Sequence, residues 1–97
     1  MALGLVAVVD DYGGPGEYVT DGIGFSVPID QRDEIIANLR TVVGALCDKP
    51  EQISVMSETA RKRVRTLFTW DAKAEQVMQI YDWVLSRRNE KPVYFTR

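Results

Sequence analysis

Histidine is missing from this chain of 97 residues, and cysteine occurs once, at position 47. Without an imidazole there is no Ser-His-Asp or Cys-His nucleophile and no general base of the commonest kind. A single thiol forms no internal disulfide, and with no histidine beside it no zinc site is expected. Cys47 is therefore read as a small apolar packing residue at a helix end. Long apolar runs are also lacking: no window reaches the ~18 residues that a membrane span needs. The opening Met1-Ala2-Leu3 has neither the charged start nor the cleavage site of a signal peptide. The expectation is a cytoplasmic chain with no membrane span. A basic surplus is absent too. Twelve Lys and Arg against 14 Asp and Glu give a formal net charge of −2, which speaks against nucleic acid as a partner, because phosphates must be neutralised by cations. No catalytic residue, metal or cofactor is assigned.

What is present is ordinary globular material, 45% hydrophobic and 27% charged, with too many apolar residues for disorder. One small domain over residues 1–97 is expected. A chain of this size buries only roughly 60 to 65% of the surface its unfolded form exposes, so it should lean on a partner.

The most informative stretch lies between residues 10 and 28. Upstream of it, Leu5-Val6-Ala7-Val8-Val9 is an apolar, β-branched run of the kind that forms a strand covered on both faces of a parallel sheet. Asp10-Asp11 ends it. Gly13, Gly14 and Gly16 then remove three Cβ atoms in four positions, with Pro15 stiffening the turn, so the backbone can lie against a ligand. Glu17 starts one short helical turn. Thr20-Asp21-Gly22 closes it, and residues 24–27 make a second strand with Phe25 and Val27 on one face.

After Pro28 the period becomes helical. Asp30 reads as an N-cap, followed by Ile35, Ile36, Leu39, Val42, Val43 and Leu46 along one stripe. Asp48, Pro50 and Glu51 signal a second helix with Ile53, Met56, Ala60, Val64 and Leu67 inward. Thr69 or Asp71 opens a third, expected to bury Ala74, Val77, Met78, Tyr81, Val84 and Leu85, with Arg87-Arg88 at its negative end. The predicted fold is α/β: a partial Rossmann-like unit of two short parallel strands around a glycine loop (residues 1–28), three helices (30–88) and a tail (89–97).

These motifs, in this order, resemble the C-terminal domain of retaining glycosyltransferases of the two-Rossmann-domain GT-B type, the glycosyltransferase group 1 or family 4 proteins. The resemblance rests on Met1-Ala2-Leu3-Gly4, Gly13-Gly14-Pro15-Gly16-Glu17, Asp21-Gly22-Ile23-Gly24-Phe25 and Val27-Pro28. It continues through Asp48-Lys49-Pro50-Glu51, Ala60-Arg61-Lys62-Arg63-Val64 and Phe68-Thr69-Trp70. Val6 stands where the family usually has proline. The resemblance implies a chain that contributes to the donor side of a nucleotide-sugar cleft, with Gly13, Gly14, Gly16 and Glu17 as the donor-binding loop. The family's two glutamates, seven residues apart, would fall upstream of Met1, and its N-terminal Rossmann domain is expected to be absent. The expectation is a C-terminal fragment or truncated homologue that is inactive alone.

A structural reading stands beside each of these. In it the glycines do no more than turn the chain, Glu17 holds the loop, and adjacent Asp10 and Asp11 point to opposite faces of an extended strand. Arg61, Lys62, Arg63 and Arg65 suit a solvated helix face, and Trp70, Tyr81 and Trp83 suit packing anchors. The alternative function is a small, non-enzymatic, self-associating interaction module. In either case a homo-oligomer that buries the first strand, or a missing N-terminal half, is the expected partner, since two short strands make no stable sheet alone.

Overall fold

A computed structural model describes residues 1–94. Among them the order is β1 (Ala7–Asp10), α1 (Gly13–Tyr18), β2 (Gly24–Val27), α2 (Arg32–Asp48), α3 (Glu51–Leu67) and α4 (Trp70–Val84). Residues 95–97, the end of the expected tail, lie outside the described residues. The chain divides into two compact units, Met1–Arg61 and Lys62–Arg97.

In the first unit, β1 and β2 form a parallel pair with Ala7 opposite Gly24, Val8 opposite Phe25, Val9 opposite Ser26 and Asp10 opposite Val27. The α/β class and the parallel pair expected from the sequence are present. Two differences are local. The first strand begins at Ala7 and leaves Leu5 exposed, and Ala7, Val8 and Val9 are half-buried rather than fully covered. The glycine segment is helical from Gly13 onward, four residues before the turn expected at Glu17. Pro15 belongs there because the first turn of a helix has no use for its missing N–H.

The core of this unit is apolar: Val19, Ile23, Val27, Met56 and Ala60. Gly24 makes it possible. A Cβ there would collide with the Ala7 carbonyl oxygen and come within 2.9 Å of Val19 Cγ1, so only glycine lets the two strands and the α1 exit pack this closely. Beyond the ladder, the Asp11 N–H donates to the Val27 carbonyl at 2.7 Å, extending the pairing by one bond.

Arg32–Asp48 is the amphipathic helix its period predicts, with Ile35, Leu39, Val42 and Leu46 half-buried and Ile36 and Val43 outward. Its cap residue is Gln31, one position later than expected; Asp30 instead accepts from the Gln31 N–H at 2.7 Å. Asp48 is the last residue of α2 rather than the cap of α3. Inward on α3 are Met56 and Ala60, while Ile53 is exposed. Arg61 donates to the Leu3 carbonyl at 3.5 Å, tying the N-terminal segment to the helix.

The second unit is held differently. Thr69 caps α4, accepting from the Ala72 N–H at 3.1 Å. At the other end, the Arg87 N–H reaches the Asp82 carbonyl at 2.8 Å and the Ser86 N–H reaches that of Trp83 at 3.1 Å. With Ser86 at φ 59°, this is a Schellman closure built on a left-handed serine. The buried residue of α4 is Gln76, whose Nε2 donates to the Leu67 carbonyl at 3.0 Å. Residues 88–94 return along the same side: Tyr94 Oη donates to Gln79 Oε1 at 2.6 Å and contacts the Gln76 carbonyl at 3.3 Å. The apolar residues expected to face inward, Val77, Met78, Tyr81, Val84 and Leu85, are exposed, as is Trp70. Residues 88–94, with Pro92 buried among them, lie instead against the side of α4 that carries Gln76 and Gln79.

Candidate functional site

The end of β1 and the start of α1 enclose an open recess of about 520 Å³ lined by Val8, Val9, Asp10, Tyr12, Gly13, Gly14 and Pro15. This is within the size range of small-molecule sites. Its floor is the strand end, where Val8 and Val9 give apolar surface. Its wall is the glycine segment. Asp10 supplies the carboxylate, exposed at the last position of β1, and an ionised carboxylate accepts hydrogen bonds from hydroxyls.

The two glycines of the wall differ in what holds them. Gly13 sits at φ +58°, in the left-handed region that side chains avoid, so the turn itself requires glycine. Gly14 has no such requirement: its φ is not in that region and the nearest atom to an added Cβ is a Tyr18 ring carbon at 3.9 Å. A helical glycine costs about 1 kcal/mol relative to alanine, and within the described chain nothing compensates for it. What Gly14 provides is open backbone facing the recess.

Of the four residues expected in the ligand loop, Gly13 and Gly14 line the recess. Gly16 is buried inside α1 and Glu17 is exposed on it, and the lining contains neither. Sequence reasoning missed Tyr12, Pro15, Val8 and Val9 as lining residues, and passed over Asp10. Their signal was positional: they flank the glycines where the strand ends, which is where ligands gather in parallel α/β units. Among the described residues, no three Cys, Asp or Glu side chains come together as a metal-holding group. Likewise, no helix among them is long and apolar enough to cross a membrane.

The basic run divides between structural tasks. Arg61 binds the Leu3 carbonyl and lies 3.8 Å from Glu58. The Arg63 guanidinium lies over the Phe68 ring at 5.5 Å, and Lys73 approaches the same ring at 5.3 Å. Lys62 and Arg65 are exposed.

Comparison with known proteins agrees with the coarse family resemblance. Over 81 residues the chain is 30% identical to a sucrose synthase of Acidithiobacillus caldus, a match covering 82% of this chain and 10% of that protein. The chain thus spans about a tenth of the length of the curated relative it matches. No protein-family model matches, and no solved structure matches significantly. The finding is a similarity to a glycosyltransferase across most of the chain.

Proposed function

We propose that the chain forms the C-terminal part of the donor side of a nucleotide-sugar cleft in a retaining, GT-B type glycosyltransferase, and that alone it does not catalyse transfer. The observation that carries this reading is Gly14, a helical glycine facing a recess of ligand size with no packing reason of its own. Independent support comes from the similarity to a sucrose synthase over most of the chain. In this reading the donor lies in the recess, with the backbone at Gly13 and Gly14 approaching its diphosphate. Asp10 accepts from a sugar or ribose hydroxyl. Gly16 and Glu17 shape and anchor α1 beneath the ligand. In the resembled family two glutamates also reach the donor and a further Rossmann domain supplies much of the acceptor site; neither glutamate is among these 97 residues, so in this reading the 97-residue chain holds the donor weakly and does not turn it over. A cytoplasmic location belongs to the same reading.

Titration of the 97-residue chain with uridine, guanosine and adenosine diphosphates and their sugars, followed by amide chemical shifts, tests it. Shifts centred on residues 10–17, with no transfer or hydrolysis, are expected. Shifts confined to residues 61–65 would assign the effect to a simple basic patch and remove the reading.

A further inference from the structure

The sixth element, α4, is amphipathic the wrong way round for an isolated unit. Its covered side carries Gln76 and Gln79, bonded to the Leu67 carbonyl and Tyr94, with Trp83 between them under Lys91. Its outward side carries Trp70, Val77, Met78, Tyr81, Val84 and Leu85, from 44% exposed at Val77 to 90% at Trp70. With 3.6 residues per turn these fall within an arc of about 120° along the whole helix. All the charged residues of α4, Asp71, Lys73, Glu75 and Asp82, lie off the stripe. From those exposures the six present on the order of 800 Å², one partner's share of a standard-size interface. That is more than the roughly 300 to 600 Å² of the largest patch on a typical monomer.

The stripe is also self-complementary. Its midpoint falls between Val77 and Met78. Ala74 and Tyr81 are equally far from that midpoint, and so are Trp70 and Leu85. Two copies of α4 packed antiparallel about a two-fold axis therefore oppose a small residue to a large one, Ala74 to Tyr81, twice. Trp70 meets Leu85 at each end. An isologous interface demands this relation, residue i on j and j on i, and the uncharged stripe leaves no charge for selecting a different, charged partner. We infer that the outward face of α4 is a homodimer interface, with two copies of the helix antiparallel and centred on Val77 and Met78. This places self-association on α4 rather than on the first strand, and it is independent of whether the glycine recess binds a nucleotide-sugar.

Light scattering after size exclusion, over a concentration series from micromolar to millimolar, tests the inference on the whole chain. A dimer that dissociates on dilution is expected. The double variant Val77→Glu, Tyr81→Glu should raise its dissociation constant about 100-fold or more, with helicity by circular dichroism retained. Leu3→Glu, at an exposed site in the first unit, should leave the dimer unchanged. Orientation is read by cross-linking after Cys47→Ser: Val77→Cys should form a disulfide between copies under mild oxidation, and Trp70→Cys should not. A monomer throughout the series, a dimer that survives the double glutamate variant, or cross-linking through position 70 in preference to 77 would each overturn it. Should the double variant unfold, the cross-linking pair alone decides.

Discussion

The two units of the chain are held together by opposite means. In Met1–Arg61 the buried residues are Val19, Ile23, Val27, Met56 and Ala60, apolar throughout, and the strands meet so closely that Gly24 admits no side chain. In Lys62–Arg97 the buried residue of α4 is a glutamine, and the strap of residues 88–94 buries Pro92 and is tied down through Tyr94, Gln79 and Gln76. Hydrophobic burial is non-directional and scales with area, so the first unit tolerates small shifts but not lost contacts. Hydrogen bonds are individually modest and costly to leave unmade, so the second unit depends on a few specific atoms. The large apolar residues on the outward face of α4 stay exposed.

Gly24→Ala should break the first unit more severely than any change to a hydrogen bond breaks the second. The new Cβ meets backbone, which cannot rotate away, and overpacking of this kind costs about 3 kcal/mol. Urea unfolding followed by circular dichroism should show the loss; an unchanged midpoint would mean that the strands are not as closely paired as described. Gln76→Leu is the matching test in the second unit. It removes the donor to the Leu67 carbonyl and should cost about 1 to 2 kcal/mol. Faster amide exchange at the start of α4 and in residues 88–94 is expected with it. If Gln76→Leu instead stabilises the chain, the second unit is held by apolar burial after all and the contrast fails. The smallest expected effect is a gain. Ser86→Gly relieves a left-handed residue at a Schellman closure and should stabilise the second unit by up to about 1 kcal/mol, seen as a higher thermal midpoint.

Much of the fold was legible because each unit's backbone obeys local rules. The switch from period two to helical period after Pro28, most of the expected stripe (Ile35, Leu39, Val42 and Leu46, though not Ile36 and Val43), and a helix start at Thr69 or Asp71 all follow from neighbours in sequence. The start of α1 was missed because three glycines read as a loop. Pro15 and the left-handed Gly13 together make a helix start, which glycine content alone does not indicate. The orientation of α4 was missed for a different reason. Periodicity shows that Trp70, Val77, Tyr81 and Val84 share a face but not which way that face turns, and here the polar contacts of Gln76, Gln79 and Tyr94 decide. In the candidate site, the glycines were visible as residues lacking Cβ atoms. Tyr12, Val8 and Val9 were not, because a recess is created by where the strand stops and the helix turns.

Under the proposed function, Gly14 is glycine for the sake of something bound in the recess and not for the sake of the fold. Gly14→Val measured twice in one preparation tests it most directly, by urea unfolding and by amide-shift titration with a uridine diphosphate sugar. A Cβ added there comes no closer than 3.9 Å to a Tyr18 ring carbon, so an unfolding free energy within about 1 kcal/mol of the parent and loss of the shifts at residues 10–17 are expected. Binding that persists unchanged beside the valine, or a chain that unfolds because of it, would contradict the account.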